Sequence, residues 1–422
     1  MDTQGKQANV PSYRSALIAL TVLFFMWGLI TSLNDILIPH LKALFTLNYL
    51  QAMLVQFCFF MAYFVMSFPA GFVVEKVGYK GGILMGLLIA AAGCLMFYPA
   101  AGMKSYPLFL AALFVMASGI AFLQVAANPF VTALGSPETA SSRLNLTQAF
   151  NSLGTTVGPV LGAAFILAVA VKTMPELQAL SAPDLAAYNQ AQVNAVQHPY
   201  LILAAVLGAI AVFIALFRLP RVEGEAGDEA HDALPVRRSI WQYPHLVLGA
   251  LGIFAYVGAE VSIGSLLVSV MGLPNVAGLA PDVAGNYLSI YWGCAMVGRF
   301  IGSALMQKIP ATRLLVFNAM VNIVLLALAV LVQGKLAMWT LLSIGLFNSI
   351  MFPTIFSLAL ARLGKFTSEG SGLLCMAIVG GAIVPLLQGW GADTIGLMPS
   401  FIIPALCFVY IAWYGLAGSR PR

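Results

Sequence analysis

Apolar residues fill most of this chain in windows of roughly 20 residues, and short polar stretches separate the windows. A helix of about 20 apolar residues spans the hydrocarbon core of a bilayer, so each window predicts a transmembrane helix. The fold class expected from this pattern is an all-α integral membrane protein with twelve transmembrane helices. The windows lie at approximately 15–39, 50–74, 81–100, 107–134, 143–170, 198–218, 244–270, 283–306, 312–332, 336–362, 368–391 and 396–417.

The longest charged stretch lies between the sixth and seventh windows, from Arg218 to Arg238, and reads RLPRVEGEAGDEAHDALPVRR. It is too polar to cross a membrane and has the composition of a flexible linker. We therefore predict an N-terminal six-helix bundle at 1–222, a cytoplasmic linker at 223–240 and a C-terminal six-helix bundle at 241–422. A second polar insertion, at about 171–197, lies between the fifth and sixth windows.

Prolines recur at matching places in the two halves of the chain. Pro129 and Pro159 lie in the fourth and fifth windows, and Pro353 and Pro385 lie at a similar spacing in the tenth and eleventh. This correspondence, together with the six-plus-six count, indicates a duplicated unit related by an axis along the membrane normal. Because proline is also common in membrane helices in general, the six-plus-six count of windows is stronger support for the duplication than the prolines are.

The composition supports a membrane protein and excludes several functions. Only 8% of the 422 residues are charged and the mean hydropathy is +0.93, whereas soluble domains are about 25% charged. We find no phosphate-binding loop, nucleophile elbow or metal-ligand spacing, so we expect no enzyme activity, no cofactor and no metal. The five cysteines are scattered through apolar windows, which is typical of small core side chains. The net charge of +5 indicates no nucleic-acid partner.

The Lys and Arg residues predict the orientation in the membrane. Of the 20 such residues, the loops on the outer side hold only Lys42, Lys104, Lys172 and Lys335. Apart from Arg299, near a helix end, the others fall on the side of the N-terminus. By the positive-inside rule we expect both termini to be cytoplasmic. The first apolar window is too long for the core of a cleaved signal peptide.

Two acidic residues, Asp35 and Glu260, lie well inside apolar windows, whereas the other Asp and Glu residues fall in polar loops or tails or, for Glu369, at the edge of a window. A carboxylate at membrane depth costs roughly 2.5 to 3.5 kcal/mol on insertion scales, so its presence there is usually functional. The two belong to the first and seventh windows, which are equivalent in a duplicated fold. A buried carboxylate that gains and loses a proton can couple transport to a proton gradient. The alternative for Asp35 is a structural hydrogen bond to neighbouring helices.

Amide side chains form a candidate binding set. Gln124 and Asn128 in the fourth window are four residues apart, and Gln148 and Asn151 in the fifth are three apart, so each pair shares a helix face. Amides both donate and accept hydrogen bonds, which matches sugar hydroxyls. Interhelical bonding is the competing interpretation. Further candidates lie in other windows: Tyr256, Asn348, Phe352 and, for stacking on a sugar face, Trp27, Trp292 and Trp390.

The loop after the second window reads GFVVEKVGYKGG, from Gly71 to Gly82. It resembles the signature G-x-x-x-[DE]-[RK]-x-G-x-[RK] of the major facilitator superfamily, with Glu75 where the superfamily more often has Asp. The resemblance implies a role in conformational gating for the matching residues, and Arg299 at the end of the eighth window is predicted to join that gate. The matching residues are Gly71, Glu75, Lys76, Gly78 and Lys80.

Longer segments resemble one branch of that superfamily, the fucose–galactose–glucose proton symporter family, over nearly the whole chain. They include LNDILIPHLKALF, LQVAANPFVTALG, SSRLNLTQAFNSLGTTVGPV, GIFAYVGAEVSIGS and GLFNSIMFPTIFSLAL. Within the family the chain is most similar to bacterial glucose/galactose transporters. The resemblance implies alternating access around a central hexose site, Asp35 as the proton-linked residue, and Gln148 and Asn151 in the sugar site. The fucose branch has a glutamate in place of Gln124 and a glutamine in place of Glu260.

The sequence thus predicts a monomeric secondary transporter, surrounded by lipid, that imports a neutral hexose, glucose or galactose above others, by proton symport. Asp35 would carry the proton, Glu260 would be a second coupling site or a sugar ligand, and the amides would hold sugar hydroxyls. Three alternatives stay open at this point. Sodium could replace the proton, the protein could be a uniporter, or it could be a drug–proton antiporter, although drug sites are mostly apolar.

Overall fold

The computed structural model describes the backbone of residues 13–44, 49–165, 176, 179–217, 219–220 and 239–421. Within these ranges the side chains of 33–44, 49–56, 159–165 and 281–282 are not described. The described residues form α-helices joined by short turns, with no β-strand among them. We number the helices in chain order.

The described residues of the first half form five α-helices. They are α1 (Tyr13–Leu44), α2 (Tyr49–Gly102), α3 (Tyr106–Ala133), α4 (Ala140–Phe165) and α5 (Ala182–Leu216). Helix α2 is long enough for two crossings and turns at Gly78, whose φ of 74° and ψ of 170° are non-helical. A residue with a side chain would be strained at this positive φ, so glycine is the natural residue at the turn.

The described residues of the second half, 239–421, form eight α-helices. They are α6 (Pro244–Gly272), α7 (Pro281–Leu305), α8 (Ala311–Leu331), α9 (Lys335–Asn348), α10 (Met351–Ala359), α11 (Thr367–Met376), α12 (Gly380–Ile395) and α13 (Ile402–Trp413). Helices α9 and α10 together form one crossing that is interrupted near Ile350. Helices α11 and α12 likewise form one crossing, joined by a 3₁₀ turn at Ala377–Val379.

These helices confirm the predicted twelve-helix fold class. Ten helical stretches among the described residues are long and apolar enough to cross a membrane, and one of them, Phe57–Gly102, has 46 residues. Because that stretch turns at Gly78, it supplies two crossings, and the 26-residue helix α4 supplies another. The sixth crossing differs from the sequence expectation, because α5 begins at Ala182 and so includes much of the polar insertion. Most of the predicted linker lies outside the described residues, so the domain boundaries stay a prediction.

Small residues let α1 and α4 approach each other closely. A Cβ atom added to Gly28 would collide with the backbone of Asn151, and one added to Gly154 would collide with the backbone of Phe25. The second half repeats this arrangement, because a Cβ atom on Gly380 of α12 would collide with the backbone of Phe254 on α6. Close packing of this kind replaces the hydrophobic driving force that helices lack in lipid. It also fixes the position of the amides on α4 relative to α1.

The two halves are joined on the side of the membrane where α1 begins, which we call the amino-terminal side. The hydroxyls of Ser141 and Ser357 are 2.6 Å apart. Ser142 donates to the carbonyl of Ser303 at 2.7 Å, and Ser303 donates back to the carbonyl of Ser142 at 2.9 Å. Ser371 donates to the carbonyl of Val125 at 2.8 Å. Uncharged hydroxyl groups thus link the halves at this end of the molecule.

Candidate functional site

Gln124 on α3 is a buried amide in the interior of the first half. Its Nε2 atom donates to the hydroxyl of Tyr63 on α2 at 2.8 Å, and its side chain is buried. Trp27 on α1 also reaches the Tyr63 hydroxyl and packs against Phe24, with ring centroids 5.2 Å apart. The Oε1 atom of Gln124 has no hydrogen-bond partner among the described residues. A buried acceptor without a partner is costly, and a ligand hydroxyl would satisfy it.

The other predicted amides of the first half belong to α3 and α4. Gln148 donates to Oδ1 of Asn128 at 3.4 Å, and the Nδ2 group of Asn128 has no partner among the described residues. Asn151 donates to the carbonyl of Phe24 on α1 at 3.0 Å. The structure therefore brings together Trp27, Gln124, Asn128, Gln148 and Asn151 as the sequence predicts, on three neighbouring helices.

Glu260 on α6 has two close partners in the second half. Its Oε1 atom accepts a hydrogen bond from the hydroxyl of Tyr256 at 2.7 Å and lies 3.9 Å from Nη2 of Arg299 on α7. The side chains of Glu260 and Arg299 are only 12% and 14% exposed. Glu260 is therefore an ion-paired carboxylate in this structure.

The sequence analysis predicts Arg299 at the end of the eighth window, as part of the gate, whereas in the structure its side chain points into the protein and is only 14% exposed. It donates from Nε to the carbonyl of Ser349 at 3.0 Å and from Nη1 to the hydroxyl of Ser152 on α4. Ser152 follows Asn151 directly and lies one turn after Gln148. Arg299 thus connects the candidate site of the first half with Glu260 in the second.

Asn348 at the end of α9 is engaged at both ends of its amide. It donates to the hydroxyl of Tyr291 at 2.8 Å and accepts from Asn322 at 2.8 Å. The Tyr291 hydroxyl in turn donates to the carbonyl of Glu260 at 3.4 Å. Phe352 packs near Tyr256, with ring centroids 6.5 Å apart. The predicted residues of the second half therefore form one buried polar network beside an aromatic cluster.

Some candidates stand apart from these groups. The side chain of Asp35 lies outside the described residues, so its predicted role stays a prediction. Trp292 and Trp390 are 42% and 69% exposed on the outside of the helices, which is typical of lipid-facing aromatics. Trp390 is mostly exposed, whereas Trp292 packs edge-on against Tyr291 of the buried network, with ring centroids 5.2 Å apart.

The gating motif has contacts within and between the halves. Gly71 lies against the backbone of Ser368 on α11, since an added Cβ atom would be 2.9 Å from the Ser368 carbonyl. Glu75 interacts with Glu369, also on α11. Lys80 donates to the carbonyls of Ala215 and Phe217 at 2.8 and 3.0 Å, which caps α5. Lys76 is exposed. Only the part of the motif near Gly71 and Glu75 therefore touches the other half.

Sequence reasoning missed five residues of these networks. They are Tyr63, Ser152, Tyr291, Asn322 and Ser349. Asn322 had a signal, because a fully buried amide in an apolar window is unusual. The others carry a hydroxyl or act through their backbone, and such residues are frequent in membrane helices, so only the tertiary contacts identify them. Among the described residues there is no group of three or more His, Cys, Asp or Glu that could hold a metal ion.

Comparisons with known proteins agree with the fold. The sequence profile of the Major Facilitator Superfamily matches residues 17–377. The chain therefore belongs to the Major Facilitator Superfamily, and it is a transporter rather than an enzyme.

Individual relatives extend over almost the whole chain. A protein of Brucella abortus biovar 1 (strain 9-941) described as "Glucose/galactose transporter" is 56% identical over 411 residues, which cover 97% of this chain and 95% of the relative. The "L-fucose-proton symporter" of Escherichia coli (strain K12) is 36% identical, over 95% of this chain and 92% of the relative. A crystal structure described as a Major Facilitator Superfamily transporter, FucP, in the outward conformation superposes with a TM-score of 0.88 at 34% identity, covering 97% of this chain and 99% of the other.

Proposed function

We propose that this protein imports a neutral hexose by proton symport, through alternating access of a central site to the two sides of the membrane. The observation that carries the proposal is the buried amide set, in which Oε1 of Gln124 and Nδ2 of Asn128 have no partner among the described residues. One is an acceptor and the other a donor, and a sugar hydroxyl can serve both kinds of group. Buried aromatic rings at Trp27 and Tyr63 supply the apolar face that a pyranose ring needs.

Glucose and galactose are the substrates we propose first. The support is the description of the Brucella relative, which is 56% identical to this chain. Gln124, Asn128, Gln148 and Asn151 would bond the sugar hydroxyls directly. Tyr256 would contact the sugar from the second half, with Phe352 as its apolar neighbour, and Asn348 would hold Tyr291 in place.

We propose Asp35 as the residue that carries the proton. It lies on α1, eight residues after Trp27, in a window that is otherwise apolar. The relative from E. coli is described as a proton symporter. One elementary charge that moves down 100 mV releases about 2.3 kcal/mol, which is enough to drive useful accumulation of a neutral sugar. Glu260 is the second candidate for coupling, and its pairing with Arg299 favours a role in positioning that residue.

The same proposal includes the place of the protein in the cell. The Lys and Arg distribution supports a multi-pass protein of the bacterial inner membrane with both termini in the cytoplasm. In that orientation the hydroxyl contacts of Ser141, Ser142 and Ser371 close the cytoplasmic side. We also propose that it acts as a monomer, with residues 1–222 and 241–422 as its two bundles and 223–240 as the linker.

Uptake of radiolabelled glucose into proteoliposomes tests the function. The purified protein is assayed in sodium-free buffer, with an inward proton gradient and without one. We expect accumulation above equilibrium only with the gradient, and competition by unlabelled galactose. Equilibration without accumulation would support a uniporter. Accumulation that requires added sodium at constant pH would support sodium symport.

A drug–proton antiporter is the competing transporter class. Such a protein would transport lipophilic cations and would leave labelled hexoses outside. A panel of unlabelled hexoses and cationic dyes, each added in excess during glucose counterflow, separates the two. Inhibition by hexoses alone is the result that the amide-rich site predicts.

A further inference from the structure

Arg299 is held in place by the second half of the molecule and reaches across to the first. Its Nε atom is anchored on the carbonyl of Ser349, and its Nη2 atom faces Glu260 at 3.9 Å. The third contact, from Nη1, goes to the hydroxyl of Ser152 on α4. A planar guanidinium has its donors in a fixed fork, so two anchors on one side determine where the third donor points.

Ser152 is built to accept that contact. Its own hydroxyl hydrogen is donated to the carbonyl of Gln148 at 3.1 Å, so an oxygen lone pair is left to accept from Arg299. Around the contact, Phe150 of α4 packs edge-on against Phe300 of α7, with ring centroids 5.6 Å apart. The Arg299–Ser152 bond is therefore a polar bridge within a packed contact between the two halves.

Glu260 is the counter-ion of Arg299. The titratable or charged groups that face it, among the described side chains, are Tyr256 on its own helix and Tyr291 and Arg299 on α7. Tyr256 donates to the carboxylate and Arg299 supplies the positive charge. An ionised group at membrane depth is tolerated when it is paired and hydrogen-bonded in this way.

We propose that Glu260 and Arg299 form a permanent neutral pair in which Glu260 positions Arg299 to bond Ser152, and that this bond breaks and re-forms in each transport cycle. Glu260 is then a positioning residue, and the transported proton does not travel on it. When the halves separate on the amino-terminal side, Ser152 moves away and Arg299 loses its third acceptor. A sugar hydroxyl held at Gln148 or Asn151 is close enough along α4 to replace Ser152; this last step rests on the proposed function.

The first test needs no sugar. Thermal unfolding of the purified protein in detergent is followed between about pH 5.5 and 8.5 for wild type, Arg299→Gln, Glu260→Gln and the double variant. In Arg299→Gln the carboxylate of Glu260 is buried without its cation, which is destabilising when the carboxylate is charged. We expect the Tm of Arg299→Gln to fall below that of wild type as the pH rises. The added Glu260→Gln change should remove that pH dependence.

The second test separates positioning from proton transfer. In proteoliposomes, Glu260→Gln should still accumulate labelled hexose under a proton gradient, to within about threefold of the wild-type ratio. Ser152→Ala should slow hexose exchange, measured without a gradient, severalfold. In a protein that already carries Arg299→Gln, Ser152→Ala should slow exchange no further. The matched control is Thr155→Ala, because the Thr155 hydroxyl bonds only the carbonyl of Ser152 within the same helix at 2.8 Å.

Each outcome decides the proposal. Equal pH profiles of Tm for Arg299→Gln and the double variant would show that the two residues do not act as a pair. Loss of accumulation with intact exchange in Glu260→Gln would assign the proton to Glu260 and overturn the proposal. If Arg299→Gln does not fold, Glu260→Gln and Ser152→Ala still test it. A wild type that accumulates no hexose refutes the proposed function instead and leaves the Tm result valid.

Discussion

At the scale of single residues, the site depends on buried donors and acceptors that have no hydrogen-bond partner among the described residues. The Nε2 group of Gln124 donates to the hydroxyl of Tyr63, whereas the Oε1 atom of Gln124 has no partner among the described residues. Asn348 shows the opposite case, since Tyr291 and Asn322 engage both ends of its amide. We infer that Gln124 contacts the substrate directly, whereas Asn348 holds Tyr291 in place.

Replacement of Gln124 by Leu should weaken hexose binding about tenfold. The side chain keeps its approximate size but loses both hydrogen-bonding groups, and a net loss of roughly 1.4 kcal/mol corresponds to that factor. The half-saturating glucose concentration in counterflow measures it. Gln388→Leu is the matched control, because Gln388 is an equally buried amide on α12 whose contact is with Ser400. Equal effects of the two changes would argue against a substrate role for Gln124.

Replacement of Asp35 by Asn should uncouple transport from the proton gradient. The amide cannot release a proton, so we expect accumulation ratios to fall to about one while exchange of labelled for unlabelled hexose continues. Uptake with and without an imposed pH gradient measures the difference. Asp393→Asn serves as the control because Asp393 is an exposed carboxylate of α12. Full accumulation by Asp35→Asn would transfer the proton role to another residue.

At the scale of helices, the contact between α1 and α4 determines the geometry of the site. Glycines on both helices bring the backbones together, and Asn151 bonds the carbonyl of Phe24 across the same contact. The amides Gln148 and Asn151 therefore depend on glycine positions that are not polar and do not face the substrate.

Replacement of Gly154 by Ala should destabilise the protein by about 1 to 3 kcal/mol, because the added methyl group meets the backbone of Phe25, which cannot move aside easily. The Tm in detergent, followed by fluorescence-detected size exclusion, measures the loss. Gly208→Ala on α5 provides the comparison, since nothing lies within 4 Å of an added Cβ atom there. A similar Tm for both variants would show that the α1–α4 contact has room for a methyl group at position 154.

At the scale of the whole molecule, transport requires the contacts on the amino-terminal side to open. Those contacts are hydrogen bonds between serine hydroxyls and close packing of backbones at glycines, and most of them involve no charged group. We call the contacts of Ser141, Ser142, Ser371 and Gly372 with the opposite half the seal. Individually weak hydrogen bonds suit a seal that must break and re-form in every cycle, because no single contact makes either state permanent.

Replacement of Gly372 by Ala should favour the state that is open on the amino-terminal side. Its added methyl group would be 2.7 Å from the carbonyl of Ser67 on α2, in the other half, only while the seal is closed. A cysteine introduced by Ser357→Cys, which lies in the same seal, should react with a maleimide severalfold faster in the Gly372→Ala background. The parent without Ser357→Cys gives the background from the native cysteines, and Gly208→Ala should leave the rate unchanged. An unchanged rate in Gly372→Ala would mean that the seal tolerates the methyl group.

Much of the fold follows from the sequence because the bilayer imposes a simple rule. Backbone groups in lipid must be satisfied within each segment, so long apolar windows become helices, and their number and order are readable from hydropathy. The rule does not apply where a helix continues into water. The start of α5 at Ala182 was therefore missed, since polar residues in that stretch carry no membrane signal. The break at Gly78 within α2, in contrast, agrees with the prediction, since the second window ends at 74 and the third begins at 81.

The sequence by itself determined the membrane class, the twelve crossings and most members of the candidate site, because charges and amides are conspicuous in apolar windows. Only the tertiary structure decided which of them act together. It paired Glu260 with Arg299, because α6 and α7 pack side by side in the second half. It brought Arg299 to Ser152, because α4 and α7 meet between the halves. Such contacts join residues far apart in sequence, and no local pattern in either segment specifies the partner.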